Sequence, residues 1–388
     1  MRTPARGFPR AEYEARVTRA QDLMQEAALD ALLLTTEADI RYVAGFLTRF
    51  WESPTRPWYV LLPANGKPIA VIPSIGAALM AKTWLTDIRT WRAPEPADDG
   101  VSLLAETVRE IVGSGGRLGV PMTLGSHLRM PLADWARLKA ALPTVGFAED
   151  AGIMRRLRMI KSDAEISKIR AACDIASRAF ARVPEIARAD LPLDRVFRGF
   201  QMLCLEEGAD WVPYLAGGAG QSGYDDVISP ADSRPLKTGD VLMLDTGLVH
   251  DGYFCDFDRN FSIGAPSESV RVAYARLIEA VEGAMEVARP GATAAELFHA
   301  MDRVLTGGQG GGDAGRLGHG LGMQLTEGLS LIPEDQTELA PGMVLTLEPG
   351  LAVEGGKIMV HEEDIVIRSG AAEYLSAPAP HEIAVLED

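Results

Sequence analysis

The sequence predicts a two-domain chain, an alternating α/β half followed by a larger α+β half. Three observations lead there. A length of 388 residues exceeds what one ordinary hydrophobic core supports. Up to about residue 155, short apolar runs alternate with helical patterns. Beyond residue 240, strand-like runs succeed one another and the helices stand apart, which is the α+β signature.

Residues 11–28 place Val17, Ala20, Leu23, Met24 and Ala27 on one helical stripe. "DALLLTT" reads as a buried strand, and "WYVLLPANGKPIAVIP" as two strands joined at Asn65-Gly66, a strong hairpin signal. A helix at about 101–113, the strand "GRLGVP", a helix at about 130–141 and "VGFAED" complete a first domain over 1–155. The second domain, 156–388, opens at Ser162 and Glu165, spaced as a capping box before a helical stripe of Ile166, Ile169, Ala172, Cys173 and Ala176. A helix at about 193–208 follows. The runs "DVLMLDTGLV", "GYFCDFDRNFSI", "MVLTLEPGLAV" and "KIMVHEEDIVI" are strands, with helices at about 267–288 and 293–306 between them. "GGQGGGDAG" (307–315) reads as a loop, lacking the Lys-Ser/Thr of a phosphate cradle.

Hydrophobic content of 47% and charged content of 24% are those of a globular protein. The formal net charge of −16 leaves no basic surplus for phosphates, so nucleic acid is excluded as a non-specific partner. Cys173, Cys204 and Cys255 are widely spaced and odd in number, which points to a reducing, cytoplasmic setting. No apolar run reaches membrane-spanning length, and the N-terminus has no apolar segment of signal type.

Carboxylates recur on the late strands: Asp245 in "LMLDTG", Asp256 in "YFCDFD", Glu348 in "LTLEPG" and the cluster "HEED" at 361–364. Several carboxylates buried together are costly unless cations offset their charge. With His319 in "GHGLG", they form an oxygen-rich donor set with one imidazole, suited to Mn²⁺, Fe²⁺, Co²⁺ or Zn²⁺ in a two-metal site. Strand alternation puts Val241, Met243 and Asp245 on one face, but does not separate Asp256 from Asp258, and it leaves Glu362 and Glu363 both open.

These motifs, in this order, resemble the creatinase, prolidase and aminopeptidase P superfamily of "pita-bread" metallopeptidases. "LDTG" and "CDFDRN" supply the family's two aspartates about eleven residues apart, "GHGLG" its histidine, "TLEPG" a glutamate and "HEED" the last glutamate. "DALLLTTEADIRYVAGF" resembles the start of the creatinase-type N-terminal domain, and "LRMIKSDAEISKIRAA" the helix that opens the catalytic domain. The resemblance therefore implies a pita-bread catalytic domain after a smaller creatinase-like α/β domain, in the Xaa-Pro dipeptidase and aminopeptidase branch.

It further implies two divalent metal ions, Mn²⁺ before Zn²⁺, Co²⁺ or Fe²⁺, held by Asp245, Asp256, His319, Glu348 and Glu363. Asp256 and Glu363 would bridge the pair, a shared hydroxide would attack an amide carbonyl, and Glu348 would also serve as base. A dipeptide or other small-molecule substrate and a homodimer are the implied partners. Two substrate histidines of the peptidases are missing: one position is Thr326, and no histidine occurs from 211 to 249, where Ile228 stands near the other. A threonine hydroxyl donates a hydrogen bond but takes up no proton near neutral pH. Thr326 and His361, which occupies an arginine position beside Glu363, are expected with Glu348 among the catalytic residues. Tyr214, Asp226 and Glu327 are expected at the substrate, with Asp225 as a further compensating acid. His250 is expected in a turn, and His127, His299 and His381 at the surface or in packing. Trp51 and Arg56 are candidates to cap a neighbouring subunit's pocket. The alternative function is that of a non-peptidase relative, a creatinase-like C–N hydrolase or a metal-dependent lyase of a sulfonium compound.

Overall fold

The computed structural model describes residues 4–53, 57–310 and 315–387. Arg56 and residues 311–314 of the glycine-rich stretch lie outside them. Two compact units result, Ala5–Arg158 and one beginning at Met159.

In the first unit the helix Arg10–Glu26 buries Val17, Ala20 and Met24, as its stripe requires. Six strands form one sheet: β1 (Ala31–Leu34), β2 (Tyr59–Pro63), β3 (Ile69–Pro73), β4 (Asp87–Trp91), β5 (Arg117–Val120) and β6 (Gly146–Glu149), in the order β4-β3-β2-β1-β5-β6. The Asn65-Gly66 segment joins β2 and β3 as an antiparallel pair, while β5 and β6 run parallel to β1. Helices Val101–Val112 and Leu132–Ala141 cover one face, where Leu104, Val108 and Leu138 meet Leu33, Leu61 and Val71. Trp51 packs on Trp58 and under Arg129 within this unit.

The second unit opens with helix Asp163–Ala181, whose capping box is formed by Ser162 and Glu165. Helix Leu193–Glu207 leads to β7 (Trp211–Gln221), absent from the sequence expectations because "WVPYLAGGAGQ" carries three glycines and a proline. It pairs with β8 (Asp240–His250), with a register shift between Trp211 and Tyr214 around Pro213. β9 (Tyr253–Phe254) and β10 (Phe257–Ile263) also pair with β8. A second sheet is built from β11 (Gly318–Gly320), β12 (Val344–Leu347), β15 (Glu363–Val366) and β16 (Glu373–Tyr374); β13 (Gly350–Ala352) and β14 (Ile358–Val360) form a hairpin, and β17 (Ala384–Leu386) edges β10. Helices Glu268–Val287 and Ala294–Thr306 share a core with Val241 and Met243 of β8 and Leu345 and Leu347 of β12. The inner faces of both sheets thus run from an apolar core into the acidic residues. Among the described residues, no helix is long and apolar enough to cross a membrane.

Candidate metal centre

Asp245 lies on a strand, whereas Asp256, Glu348 and Glu362 lie at strand ends and breaks. On β8, Val241 and Met243 enter the core and Asp245 follows them on the same face. In the β8–β10 register Asp245 stands opposite Asp258, while Asp256 occupies the break between β9 and β10. That break separates Asp256 from the alternation of β10, which the sequence left unresolved. The backbone N–H of Asp256 donates to Asp364 Oδ2 at 2.9 Å, fixing the residue outside the ladder.

Asp245, Asp256 and Glu362 each bring a carboxylate oxygen to within 4.8 Å of the others, and all three are buried. The strand expected through "KIMVHEEDIVI" breaks between β14 and β15, so alternation fails at residues 361–362. This corrects the expected Glu363: it is Glu362 that joins the aspartates. Glu363 faces Arg259 at 3.0 Å, and accepts hydrogen bonds from Ser376 Oγ and, at 2.7 Å, from the N–H of Ala379. Its carboxyl is shifted down to about 2: burial works against ionisation, but Arg259, His361 and Ser376 outweigh it. The three cluster acids behave oppositely. Burial first, then neighbouring carboxylates, push Asp245, Asp256 and Glu362 well above the ordinary range.

His319 is buried on β11, paired antiparallel with Thr346 of β12. Gly318, at φ +146, brings the backbone so close to Thr346 that an added Cβ would lie 2.4 Å from its carbonyl oxygen. His319 Nδ1 lies 2.9 Å from Gly320 O and donates to it, so the neutral ring turns an Nε2 lone pair toward Asp256 Oδ2 at 3.2 Å and Glu348 Oε1 at 3.8 Å. An ion pair there would need imidazolium, yet burial and Arg316 depress this ring to about 4. A lone pair facing a carboxylate requires a proton or a cation between them. Glu348, just after β12, is raised to about 7 by burial, against the lowering effect of Arg316.

Asp245 Oδ1, Glu362 Oε2 and Thr346 Oγ1 are buried without a hydrogen-bond partner among the described residues. Orphaned acceptors, a neutral imidazole lone pair and clustered acids fit a divalent cation centre of Asp245, Asp256, His319, Glu348 and Glu362.

The remaining candidates fall in different places. Tyr214 hydrogen-bonds Asp245 and packs beside Leu325 over Gly247. His361 is not a free catalytic base: Nδ1 lies 3.2 Å from Asp258 and Nε2 3.3 Å from Glu363. Burial alone would depress it, but these two carboxylates raise it. Asp258 in turn accepts the N–H of Glu362 at 2.9 Å, so His361 acts on the orientation of Glu362. Thr326 is exposed and accepts from Arg316 Nη2 at 3.3 Å. Glu327, expected at the substrate, forms a buried ion pair with Lys161 at 3.0 Å. Asp226 caps its own loop, accepting from the N–H groups of Ile228 and Ser229, and Asp225 pairs with Lys357 at 2.6 Å. His250 is buried at the end of β8, while His127, His299 and His381 are exposed. The sequence expectations missed Arg316, which reaches Glu348 at 3.1 Å, and Asp364, which braces Asp256. The only sequence signal for Arg316 was a lone cation three residues before the glycine-flanked histidine.

Residues 167–369 match Metallopeptidase family M24, and residues 16–160 match the Creatinase/Prolidase N-terminal domain. The chain is 29% identical to a probable dipeptidase PepE of Mycobacterium tuberculosis, over 98% of this chain and 99% of that protein. It is 24% identical to an Xaa-Pro dipeptidase of Pyrococcus horikoshii, over 92% of this chain and 95% of the relative. Among solved structures, dipeptidase PepE from Mycobacterium ulcerans superposes with a TM-score of 0.84 at 27% identity, covering 98% of this chain and 100% of that one. Prolidase from Thermococcus sibiricus shares the fold at a TM-score of 0.86 and 23% identity, covering 96% of this chain and 99% of that one.

Proposed function

Because the chain belongs to metallopeptidase family M24, we propose that it is a dinuclear metal-dependent hydrolase of short peptides, of the Xaa-Pro dipeptidase kind. The observation that carries this proposal is the buried triad Asp245, Asp256 and Glu362, with carboxylate oxygens on Asp245 and Glu362 that have no hydrogen-bond partner among the described residues. Relatives named as dipeptidases over nearly the whole chain support the substrate class. His319 and Glu348 complete the set that would hold two divalent ions, Mn²⁺ first among them, in a cytoplasmic homodimer.

When bound, such ions polarise a carbonyl and acidify water. The chain's own residues supply the rest. His319 stays neutral above about pH 4, so its Nε2 remains a ligand rather than a proton donor. Tyr214 holds Asp245, Asp364 holds the backbone of Asp256, and the Asp258–His361 pair holds Glu362. Glu348, raised to about 7 by burial and with 19% of its side chain exposed, is the group able to accept a proton from attacking water and return it to the departing amine. Thr326 carries no proton of this kind, so proton transfer falls to Glu348.

The test is metal analysis together with hydrolysis of an Xaa-Pro dipeptide panel. The expected result is about two metal ions per chain after Mn²⁺ loading, with turnover abolished by Asp256→Asn. Fewer than about one ion per chain after reconstitution would refute the dinuclear centre. Metal without turnover on any dipeptide would refute the substrate class.

A further inference from the structure

The acidic cluster is flanked by one cation placed differently from the buried pairs beneath it. Arg259 is 11% exposed and spends its guanidinium on Glu363, on the carbonyls of Asp258 and Glu362, and on Ala377 O. Arg316 is 37% exposed at the side chain, beside Glu348 at 19%. Only two donors of its fork are engaged among the described residues: Nε on Glu348 Oε1 at 3.1 Å and Nη2 on Thr326 Oγ1 at 3.3 Å. Glu348 and Thr326 fix the plane of the fork and leave the Nη1 edge without a partner among the described residues. Its charge also acts on Asp256 and His319, which places it within electrostatic reach of both. A planar guanidinium with an open edge, held from two sides, matches the geometry of a carboxylate.

Resting on the hydrolase function proposed above, we infer that Arg316 is a specificity-determining residue. Anchored by Thr326, it reads a carboxylate of the substrate on the Glu348 side of the centre. Two divalent ions would offset the four carboxylates of the centre but would not fix the orientation of a substrate carboxylate, and Arg316 supplies a directional donor for it. Thr326 serves as its anchor: a hydroxyl accepts one N–H without competing for the guanidinium charge.

Binding to the Mn²⁺-loaded protein is measured calorimetrically with L-proline and L-leucine, and with the matching amino alcohols prolinol and leucinol, which hold no bond to hydrolyse. The wild type is expected to bind the acids at least about tenfold more tightly than the alcohols, as a charge-assisted hydrogen bond implies. Arg316→Ala should reduce that preference below about twofold, Arg316→Lys should retain part of it, and Thr326→Val should fall between wild type and Arg316→Ala. An unchanged preference in Arg316→Ala would mean that the carboxylate is held elsewhere, including by the metals, and would overturn the assignment. A wild type with no preference, or with no binding of either class, would overturn it as well. Metal stoichiometry, measured on the same samples, separates these outcomes from failure of the metal centre itself.

Discussion

Glu362 and Glu363 are chemically identical neighbours with opposite fates. One lies among carboxylates and is pushed toward its protonated form, while the other is held ionised by Arg259, His361 and Ser376. Glu362→Gln is therefore expected to lower Mn²⁺ stoichiometry and leave the fold intact, because it removes one member of a repulsive cluster. Glu363→Gln should keep the metal but destabilise the protein by on the order of 3 kcal/mol, since Arg259 then stays largely buried without its counter-ion. Metal content and chemical denaturation of the two variants check this contrast; equal metal loss in both would count against it. The sequence motifs indicated Asp245, Asp256, His319 and Glu348, and the structure brings these four together. They left the choice within "HEED" to resemblance, because the decisive event is a strand break at 361–362 that side-chain alternation does not reveal. Arg316 was illegible for a different reason, since its partners lie ten and thirty-two residues away in the chain.

At the scale of elements, the sequence disclosed what depends on local periodicity and caps. The helix after Ser162, the β2–β3 pair across Asn65-Gly66 and the long helices 268–287 and 294–306 all follow from short-range patterns. β7 did not, because its backbone is held by partner β8 rather than by its own residue preferences. The β11–β12 pair is similarly tertiary. Gly318 sits at φ +146, with Thr346 O where a methyl group would go. Gly318→Ala is expected to cost on the order of 2 kcal/mol through backbone strain and this clash. It should also weaken metal binding, because His319 is the next residue. Mn²⁺ titration calorimetry alongside thermal melting checks it; a variant that melts early but binds metal normally would show that His319 is positioned by other contacts.

For the whole molecule, the clustered acids make stability depend on pH and on metal together. Glu348 is raised from an ordinary 4.5 to about 7, and burial and neighbouring carboxylates also raise Asp245, Asp256 and Glu362 well above the ordinary range. Groups with raised folded pKa values bind protons more tightly when folded. In the metal-free protein their contribution is present below about pH 4 and is lost as pH climbs through the folded values. Metal binding must displace those protons, so affinity rises with pH. The metal-induced increase in Tm is accordingly expected to grow from pH 5.5 to pH 8, with protons released on loading. Melting curves of stripped and loaded protein across that range check this, and a constant increment would contradict it.

The three cysteines add an optical clock to this molecule. Cys173, Cys204 and Cys255 are all fully buried, and burial pushes each thiol upward, Cys204 to about 12. All three belong to the unit beginning at Met159, and the unit Ala5–Arg158 has none. A chromogenic disulfide reagent therefore colours only when the catalytic half opens, whatever the N-terminal half does. Cys173 donates to the same Asp364 that braces Asp256, so removing metal with a chelator should quicken the colour change, and restoring Mn²⁺ should slow it again.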